Sequence, residues 1–221
     1  MLITKNDEVA VALAGRSYIY QLLKYIFADE PTAQLLDLIT EDFTYEVLSL
    51  FVSEDEMTLF AHLVTRIKER RVEDELHLLD DLKGEYTALF IGPNKLVAPP
   101  WESVYVNKAR VILQESTLKV REFYRRHQLL PANYPRVADD HLAIELDFMA
   151  KLSKRVEESE DVSLLKEQLE FLDSHLLRWV PQFATDIQSS KTHRMYPFMA
   201  KITETALLTD RMLLEELIAS V

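Results

Sequence analysis

The chain has 221 residues, of which 48% are hydrophobic, and its formal net charge is −12 at pH 7. This composition supports a sizeable core and excludes wholesale disorder, while the acidity disfavours nucleic acid, whose phosphates need clustered Lys and Arg. The acidity fits a basic partner, or it serves only to keep the chain in solution. No cysteine is present, which excludes disulfides, zinc–thiolate sites and cysteine nucleophiles. Three glycines are too few for the turns of an all-β protein, so helices are favoured.

In the first half, apolar residues recur at helical spacing in several segments bounded by capping residues or prolines. Asn6 or Asp7 can cap the first segment, and Ser53 with Glu56 three residues later forms a capping box for the fourth. The predicted helices cover residues 7–28, 32–39, 42–51, 53–71 and 72–90.

The second half opens with residues 91–102, which hold three of the eight prolines and cannot be regular helix. Another loop is predicted at 128–138, with Pro131 and Pro135, and Pro181 is predicted to interrupt the chain again. The predicted helices are 104–127 capped by Ser103, one capped by Asp139 or Asp140 that runs to about Leu152, then 162–179, 182–189 and a last long one from Pro197.

These elements predict an all-α bundle of roughly nine to twelve helices with a proline-rich loop between two halves. We expect residues 1–221 to form a single domain, with the 91–102 loop as the place for any partial division. The start, Met1 to Glu8, lacks a basic region followed by an apolar core, so we expect no signal peptide. No apolar run reaches the roughly 20 residues that span a bilayer, and a cytoplasmic protein without stable membrane insertion is expected.

Most enzyme motifs are absent. No pair of glycines has the spacing of a phosphate loop or of a dinucleotide fingerprint, and no nucleophile elbow occurs. His141 and Glu145, four residues apart near a helix start, can face the same side and could bind a metal or move protons. The alternative is a hydrogen bond or ion pair within the helix. We assign no catalytic residue and no metal ligand.

The segment from Tyr86 to Tyr105 is unusual because large apolar and aromatic residues flank a rigid, proline-rich loop. Prolines lower the ordering cost when a partner binds, and Trp and Tyr offer large contact areas with a polar group. Leu89 and Phe90 are expected in the core or on a groove floor. Pro99 to Ser103 is the part that we expect to contact a partner.

Three stretches of this sequence resemble the redox-enzyme maturation chaperones of the TorD/DmsD type. The first is Tyr86-x-x-Leu89-Phe90-x-Gly92-Pro93 followed by Pro99-x-Trp101-Glu102-Ser103-Val104-Tyr105. The second is Asp140-His141-x-x-x-Glu145-Leu146-x-Phe148-Met149, and the third is Phe171-Leu172-x-x-His175-Leu176-Leu177-x-Trp179. The resemblance covers about residues 85–215, and its loop motif and helix motif occur together in the family's order.

The resemblance implies an all-α cytoplasmic chaperone of anaerobic respiration that is not an enzyme. Such proteins bind the twin-arginine leader and the apo form of a molybdopterin-dependent oxidoreductase catalytic subunit, typically a dimethyl sulfoxide or trimethylamine N-oxide reductase. They assist cofactor insertion and delay export. The resemblance implies no resident cofactor, although it allows weak guanine-nucleotide binding, and it allows a homodimer formed by domain swapping.

We expect the carboxylates of this site, including Asp139, to receive the leader's arginines and the aromatic side chains to receive its apolar stretch. The predicted peptide-binding residues are Tyr86, Leu89, Phe90, Gly92, Pro93, Pro99, Pro100, Trp101, Glu102, Ser103, Tyr105, Asp140, His141 and Glu145. Two alternatives stay open: a metal- or nucleotide-dependent hydrolase that uses His141 and Glu145, and an adaptor bundle without a peptide groove. A buried 91–102 loop with no concavity beside it would favour the adaptor.

Overall fold

The structure is a computed structural model that describes residues 7–93, 95–131, 137–190 and 194–220, with only the backbone described at residues 7 and 8. Three features of the sequence analysis therefore lie outside the described residues. They are the N-terminal stretch without a predicted signal peptide, the alternative cap Asn6, and Pro135. Within these ranges the chain forms ten α-helices and two short π-helical turns, and no named strand. The prediction of an all-α bundle of nine to twelve helices is confirmed.

The longest connections between the elements are residues 92–101, 107–114 and 127–141, the last of which includes residues outside the described ranges. In chain order they are α1 (Asp7–Ala28), α2 (Ala33–Thr40), α3 (Asp42–Leu48), α4 (Glu54–Tyr86), a first π turn (Thr87–Ile91), α5 (Glu102–Val106), α6 (Glu115–Arg126), α7 (Leu142–Ser159), α8 (Val162–Phe171), a second π turn (Leu172–Leu176), α9 (Leu177–Gln188) and α10 (Tyr196–Ala219).

The centre of the bundle is the long contact between α1 and α7, and α10 packs across α8 and α9. One continuous core of buried apolar side chains includes residues from α1 through α10, so it draws on both sides of the 91–102 loop. A division of the chain at that loop stays a prediction. In the described part of the chain, no helix combines the length and apolarity that a membrane span requires.

Helix α4 is bent at Asp74, whose backbone is extended with φ −162° and ψ 92°. The Asp74 carboxylate accepts a hydrogen bond of 3.0 Å from the backbone N–H of His77, so it caps the second half of the helix. The first half begins at the predicted capping box of Ser53 and Glu56, which is present. The boundary predicted between segments 53–71 and 72–90 therefore lies within three residues of the observed bend at Asp74.

The predicted continuous helix over 104–127 is wrong. The structure has the short α5 and the longer α6, separated by residues 107–114, in which Arg110 and Leu113 have positive φ values of 50° and 62°. These values lie outside the right-handed helical region. The Asn107 side chain donates to the backbone oxygen of Ser103 at 3.0 Å and to Oγ of Ser116 at 3.1 Å, so it links the two helices.

The predicted interruption at Pro181 is also wrong, because Pro181 lies inside α9. A proline in a helix interior costs about 3 kcal/mol through its missing N–H and its clash with the preceding turn. The helix nevertheless continues because Trp179, Val180, Phe183 and Ala184 around this proline are fully buried. Full burial of a large apolar side chain contributes roughly 1.5–3 kcal/mol. Together, the buried side chains around Pro181 therefore outweigh the cost of the proline.

Candidate functional site

The two motif segments meet through their backbones. Trp101 and His141 form an isolated antiparallel bridge. The backbone N–H of Glu102 donates to the backbone oxygen of Asp140 at 3.0 Å. The backbone N–H of Leu142 donates to the backbone oxygen of Pro100, also at 3.0 Å. The rings of Trp101 and His141 lie edge to face with centroids 5.2 Å apart. The loop motif and the helix motif of the sequence are therefore parts of one site.

The caps at this junction differ from those predicted. Ser103 lies inside α5 and does not cap it; its own backbone N–H donates to Oδ2 of Asp140 at 2.8 Å, so Asp140 caps α5 from another segment. Asp139 and Asp140 do not cap α7 either. The cap of α7 is His141, whose Nδ1 accepts a hydrogen bond of 3.1 Å from the N–H of Ala143.

Two further side chains connect the motif segments to the third stretch of the resemblance. Glu102 Oε2 lies 2.8 Å from Nδ1 of His175 in the second π turn, and both side chains are buried. Trp179 Nε1 on α9 donates to Oε2 of Glu145 at 3.2 Å. His175 and Trp179 were not among the predicted site residues, although their four-residue spacing places them on one helix face.

The interior of this site is acidic. Glu102, Asp139, Asp140 and Glu145 are each at most 1% exposed. Asp139 accepts a hydrogen bond from Nε of Arg121, and its backbone oxygen accepts one of 2.9 Å from the Tyr124 hydroxyl. Burial raises the pKa of Glu145 well above its ordinary value, and the neighbouring Glu102 and Asp140 raise it further. The neutral form of Glu145 is therefore favoured in the folded chain.

His141 has the opposite shift. Burial lowers its pKa from 6.5 to about 4, outweighing the effect of the Asp140 carboxylate. A neutral imidazole at pH 7 agrees with the capping bond, in which Nδ1 is the acceptor. Glu145 points to Trp179 and His141 to the α7 backbone, and the described residues contain no group of three or more His, Asp or Glu side chains that could hold a metal ion.

The aromatic part of the motif lies in the core. Tyr86 and Leu89 are buried, and the Phe90 ring contacts Tyr86 and Tyr196 at 5.1 Å each and Phe183 at 6.0 Å between centroids. The first π turn carries Leu89 and Phe90 inward and ends at Gly92, whose φ is 39°. A left-handed φ at this position favours glycine, since a side chain would be strained.

The surface part of the motif borders a groove of about 600 Å³, hereafter the apolar groove. Its lining residues are Lys95, Leu96, Val97, Pro99, Val104, Arg110, Val111, Ile112, Asp186 and Ser189. Val97 is 46% exposed and Val111 is 49% exposed. The loop therefore has a concavity beside it, so the condition that would favour an adaptor without a groove is not met.

The remaining predicted residues lie between core and surface. Pro93 is exposed, Pro100 is buried, and Pro99, Trp101 and Tyr105 are half-buried. The Tyr105 ring stacks on Trp179 at 5.4 Å between centroids. Trp101 Nε1 and the Tyr105 hydroxyl are buried and have no hydrogen-bond partner among the described residues.

Replacing Asp140 with alanine is expected to lower the free energy of unfolding by about 1–3 kcal/mol, because the buried N–H of Ser103 loses its acceptor. Urea unfolding followed by circular dichroism measures the change. Asp161→Ala is the matched control, since Asp161 caps α8 at an exposed position where water can replace the carboxylate. A loss no larger than that of Asp161→Ala would show that burial of the Asp140 link adds nothing to an ordinary helix cap.

Several known proteins are similar in sequence to this chain. TorD of Aliivibrio salmonicida, a chaperone protein, is 26% identical over 200 residues, which are 88% of this chain and 92% of that protein. TorD of Shewanella oneidensis is 29% identical over 212 residues, 93% of each. A probable Tat proofreading chaperone DmsD of Haemophilus influenzae is 32% identical over 129 residues, 58% of this chain and 60% of that protein.

The fold is also seen in a crystal structure described as a redox enzyme maturation protein from Archaeoglobus fulgidus. It has a TM-score of 0.50 and 21% identity, and the match covers 90% of this chain and 93% of that one. The fold and the joined motifs define the class of redox-enzyme maturation chaperones, and the resemblance to the TorD/DmsD type is confirmed. Residues 53–185 match the family model described as nitrate reductase delta subunit, and the chain belongs to that family.

Proposed function

We propose that this protein is a cytoplasmic chaperone that binds the twin-arginine leader and the apo form of a molybdopterin-dependent oxidoreductase of the dimethyl sulfoxide or trimethylamine N-oxide reductase type. In this role it assists cofactor insertion and delays export. The names of its TorD and DmsD relatives support the proposal. The observation that carries it is the apolar groove, which borders the loop motif where that loop is joined to the helix motif.

The chemistry of the apolar groove fits the apolar stretch of a leader. Exposed valine and isoleucine side chains line it, and contact with an apolar peptide would remove them from water. Pro99 keeps the groove wall rigid before a peptide arrives, which reduces the ordering cost of binding. The half-buried rings of Trp101 and Tyr105, close in sequence to the lining residues Pro99 and Val104, add contact area at the edge of the groove.

The predicted site residues then divide into two roles. We assign direct peptide contact to those at or near the surface, which are Pro93, Pro99, Trp101 and Tyr105. We assign a positioning role to those buried beneath them, which are Tyr86, Leu89, Phe90, Gly92, Pro100, Glu102, Ser103, Asp140, His141 and Glu145. A positioning residue acts by holding the groove in shape, so its replacement changes stability and affinity together.

Val97→Asp is expected to lower the affinity for a twin-arginine leader peptide at least tenfold, because it puts a charge where the apolar stretch lies. Isothermal titration of the leader into wild type and variant measures this. Val72→Asp is the matched control: Val72 is 89% exposed on α4, outside the groove, and its variant should bind as wild type does. Equal losses in the two variants, or no leader binding to wild type, would contradict the proposal.

A further inference from the structure

A second groove lies between the end of α1 and α2, with a volume of about 510 Å³, hereafter the acidic groove. Its floor contains apolar and aromatic side chains, and its walls carry four carboxylates and no cationic residue. The lining residues are Tyr25, Ala28, Asp29, Glu30, Thr32, Gln34, Leu35, Asp37, Leu38 and Glu41. A groove with this lining attracts a cation that also has an apolar or planar surface.

Most of these carboxylates are free to bind a partner. Asp37 is paired with Arg71 at 2.7 Å, whereas within the described ranges no ion pair joins Asp29, Glu30 or Glu41 to a cation. All three are exposed. They therefore keep their hydration and lose little by exchanging water for a charged partner, unlike the buried carboxylates of the motif site.

The aromatic side chain of the acidic groove favours a guanidinium over an ammonium. Tyr25 is 50% exposed, and the ammonium of Lys24 lies 5.4 Å from its ring centroid, so the ring already contacts one cation and has exposed surface for a second. Lys24 itself is held by Asp147 at 2.7 Å. Arginine can stack on such a ring while it forms paired hydrogen bonds with a neighbouring carboxylate.

The acidic groove and the apolar groove lie at two ends of one aromatic cluster. Asp29 and Glu30 add to the effect of burial that raises the pKa of Tyr86 to about 12, so their charges reach the motif segment. From Tyr86, ring-to-ring steps of 5.1, 6.0 and 6.3 Å pass through Phe90 and Phe183 to Tyr105, beside the apolar groove. These steps through the core place the Tyr86 and Tyr105 rings at most about 18 Å apart, a straight-line distance that about six extended residues cover.

The two grooves also differ in charge. The lining of the apolar groove includes two cationic residues, Lys95 and Arg110, and one carboxylate, Asp186. Because its charged side chains are mainly positive, this groove repels an arginine pair. The buried motif carboxylates could take arginines only by opening the core. The exposed carboxylates of the acidic groove can bind the arginine pair without any change in the fold.

We propose that the acidic groove binds the arginine pair of the leader, while the apolar groove binds the apolar stretch that follows the pair. This inference rests on the proposed leader binding and adds a second contact region, formed by α1 and α2, to it. Binding at the acidic groove is electrostatic and weakens with salt, whereas binding at the apolar groove does not.

The test is a double-mutant cycle between protein and peptide. Two leader peptides are titrated calorimetrically, one with the Arg-Arg pair and one with Gln-Gln in its place. Wild type is compared with the groove variant Glu30→Gln/Glu41→Gln and with the control Glu69→Gln/Glu73→Gln, which removes the same charge from exposed positions on α4. These residues are exposed in each variant, so folding is retained, and circular dichroism checks it.

For wild type and the control variant, replacing the arginine pair is expected to lower affinity at least tenfold. For the groove variant the same replacement should change affinity no more than twofold. An equal peptide effect in all three proteins would overturn this inference while leader binding and its sensitivity to Val97→Asp still support the proposed function. Loss of the arginine effect in Asp140→Asn instead would place the pair in the motif interior. Absence of any leader binding would overturn the proposed function itself.

Discussion

Asp210→Asn is expected to lower the free energy of unfolding by about 3–5 kcal/mol, because it leaves a buried guanidinium without its counter-charge. Arg16 on α1 and Asp210 on α10 are both fully buried, with Nε and Oδ1 2.5 Å apart. Arg16 also donates to Oε1 of Gln168 on α8 at 2.7 Å, and the Tyr20 hydroxyl donates to Asp210 at 2.6 Å. The pair thus connects three helices.

Urea unfolding of Asp210→Asn gives this value, and Asp173→Asn is the matched control. Asp173 forms an ion pair with Arg211 at 2.6 Å, but both side chains are at least a third exposed, so its loss should cost at most about 1 kcal/mol. The double variant Arg16→Met/Asp210→Leu should recover most of the lost stability, since it removes both buried charges. A cost for Asp210→Asn as small as that of the control would disprove the structural role of the pair.

The second prediction concerns the pH dependence of stability, in which His141 and Glu145 have opposite effects. The pKa of His141 is lowered to about 4 in the folded chain, so between pH 6.5 and 4 only the unfolded chain takes up this proton. Stability from His141 therefore falls as the pH drops, by up to about 3 kcal/mol over that range. The pKa of Glu145 is raised, so the folded chain keeps a proton that the unfolded chain releases above about pH 4.5. Stability from Glu145 therefore falls as the pH rises.

Between pH 4.5 and 6.5 the two slopes offset each other in the wild type, and single variants should reveal them. Glu145→Gln mimics the protonated acid and keeps an acceptor for Trp179. Its stability should rise with pH in this interval. His141→Asn keeps a good capping side chain for α7, and its stability should fall with pH.

Urea unfolding at several pH values compares these variants with the wild type. The other titratable groups that face the pair are present in all three proteins: Glu102, Asp139, Asp140, Tyr124 and His175. If either variant has the same pH profile as the wild type, the shift assigned to that residue is wrong.

Much of the fold could be predicted because its signals are local. The end of α1 at Ala28, the capping box of Ser53 and Glu56, and the start of α10 next to Pro197 depend on residues within one or two turns. The recurrence of apolar residues predicted which helices exist, and the scarcity of glycine predicted the class. The Tyr86 to Tyr105 segment was recognised from composition and motif alone.

The rest depends on side chains that are far apart in the sequence. Asp140 caps α5 from 37 residues away, and Glu102 meets His175 across 73 residues, so no local pattern predicts either contact. The continuation of α9 through Pro181 has the same origin, since burial of the neighbouring side chains decides it.

The sequence by itself determined the helical class, most helix boundaries and the motifs that mark the site, because periodicity, caps and prolines act within a single segment of chain. Only the tertiary structure decided that the carboxylates of Glu102, Asp140 and Glu145 are buried supports of that site. It also decided that the apolar groove lies beside them while exposed acidic side chains gather at α1 and α2. Burial, pKa shifts and the shape of a groove arise when separate helices pack together.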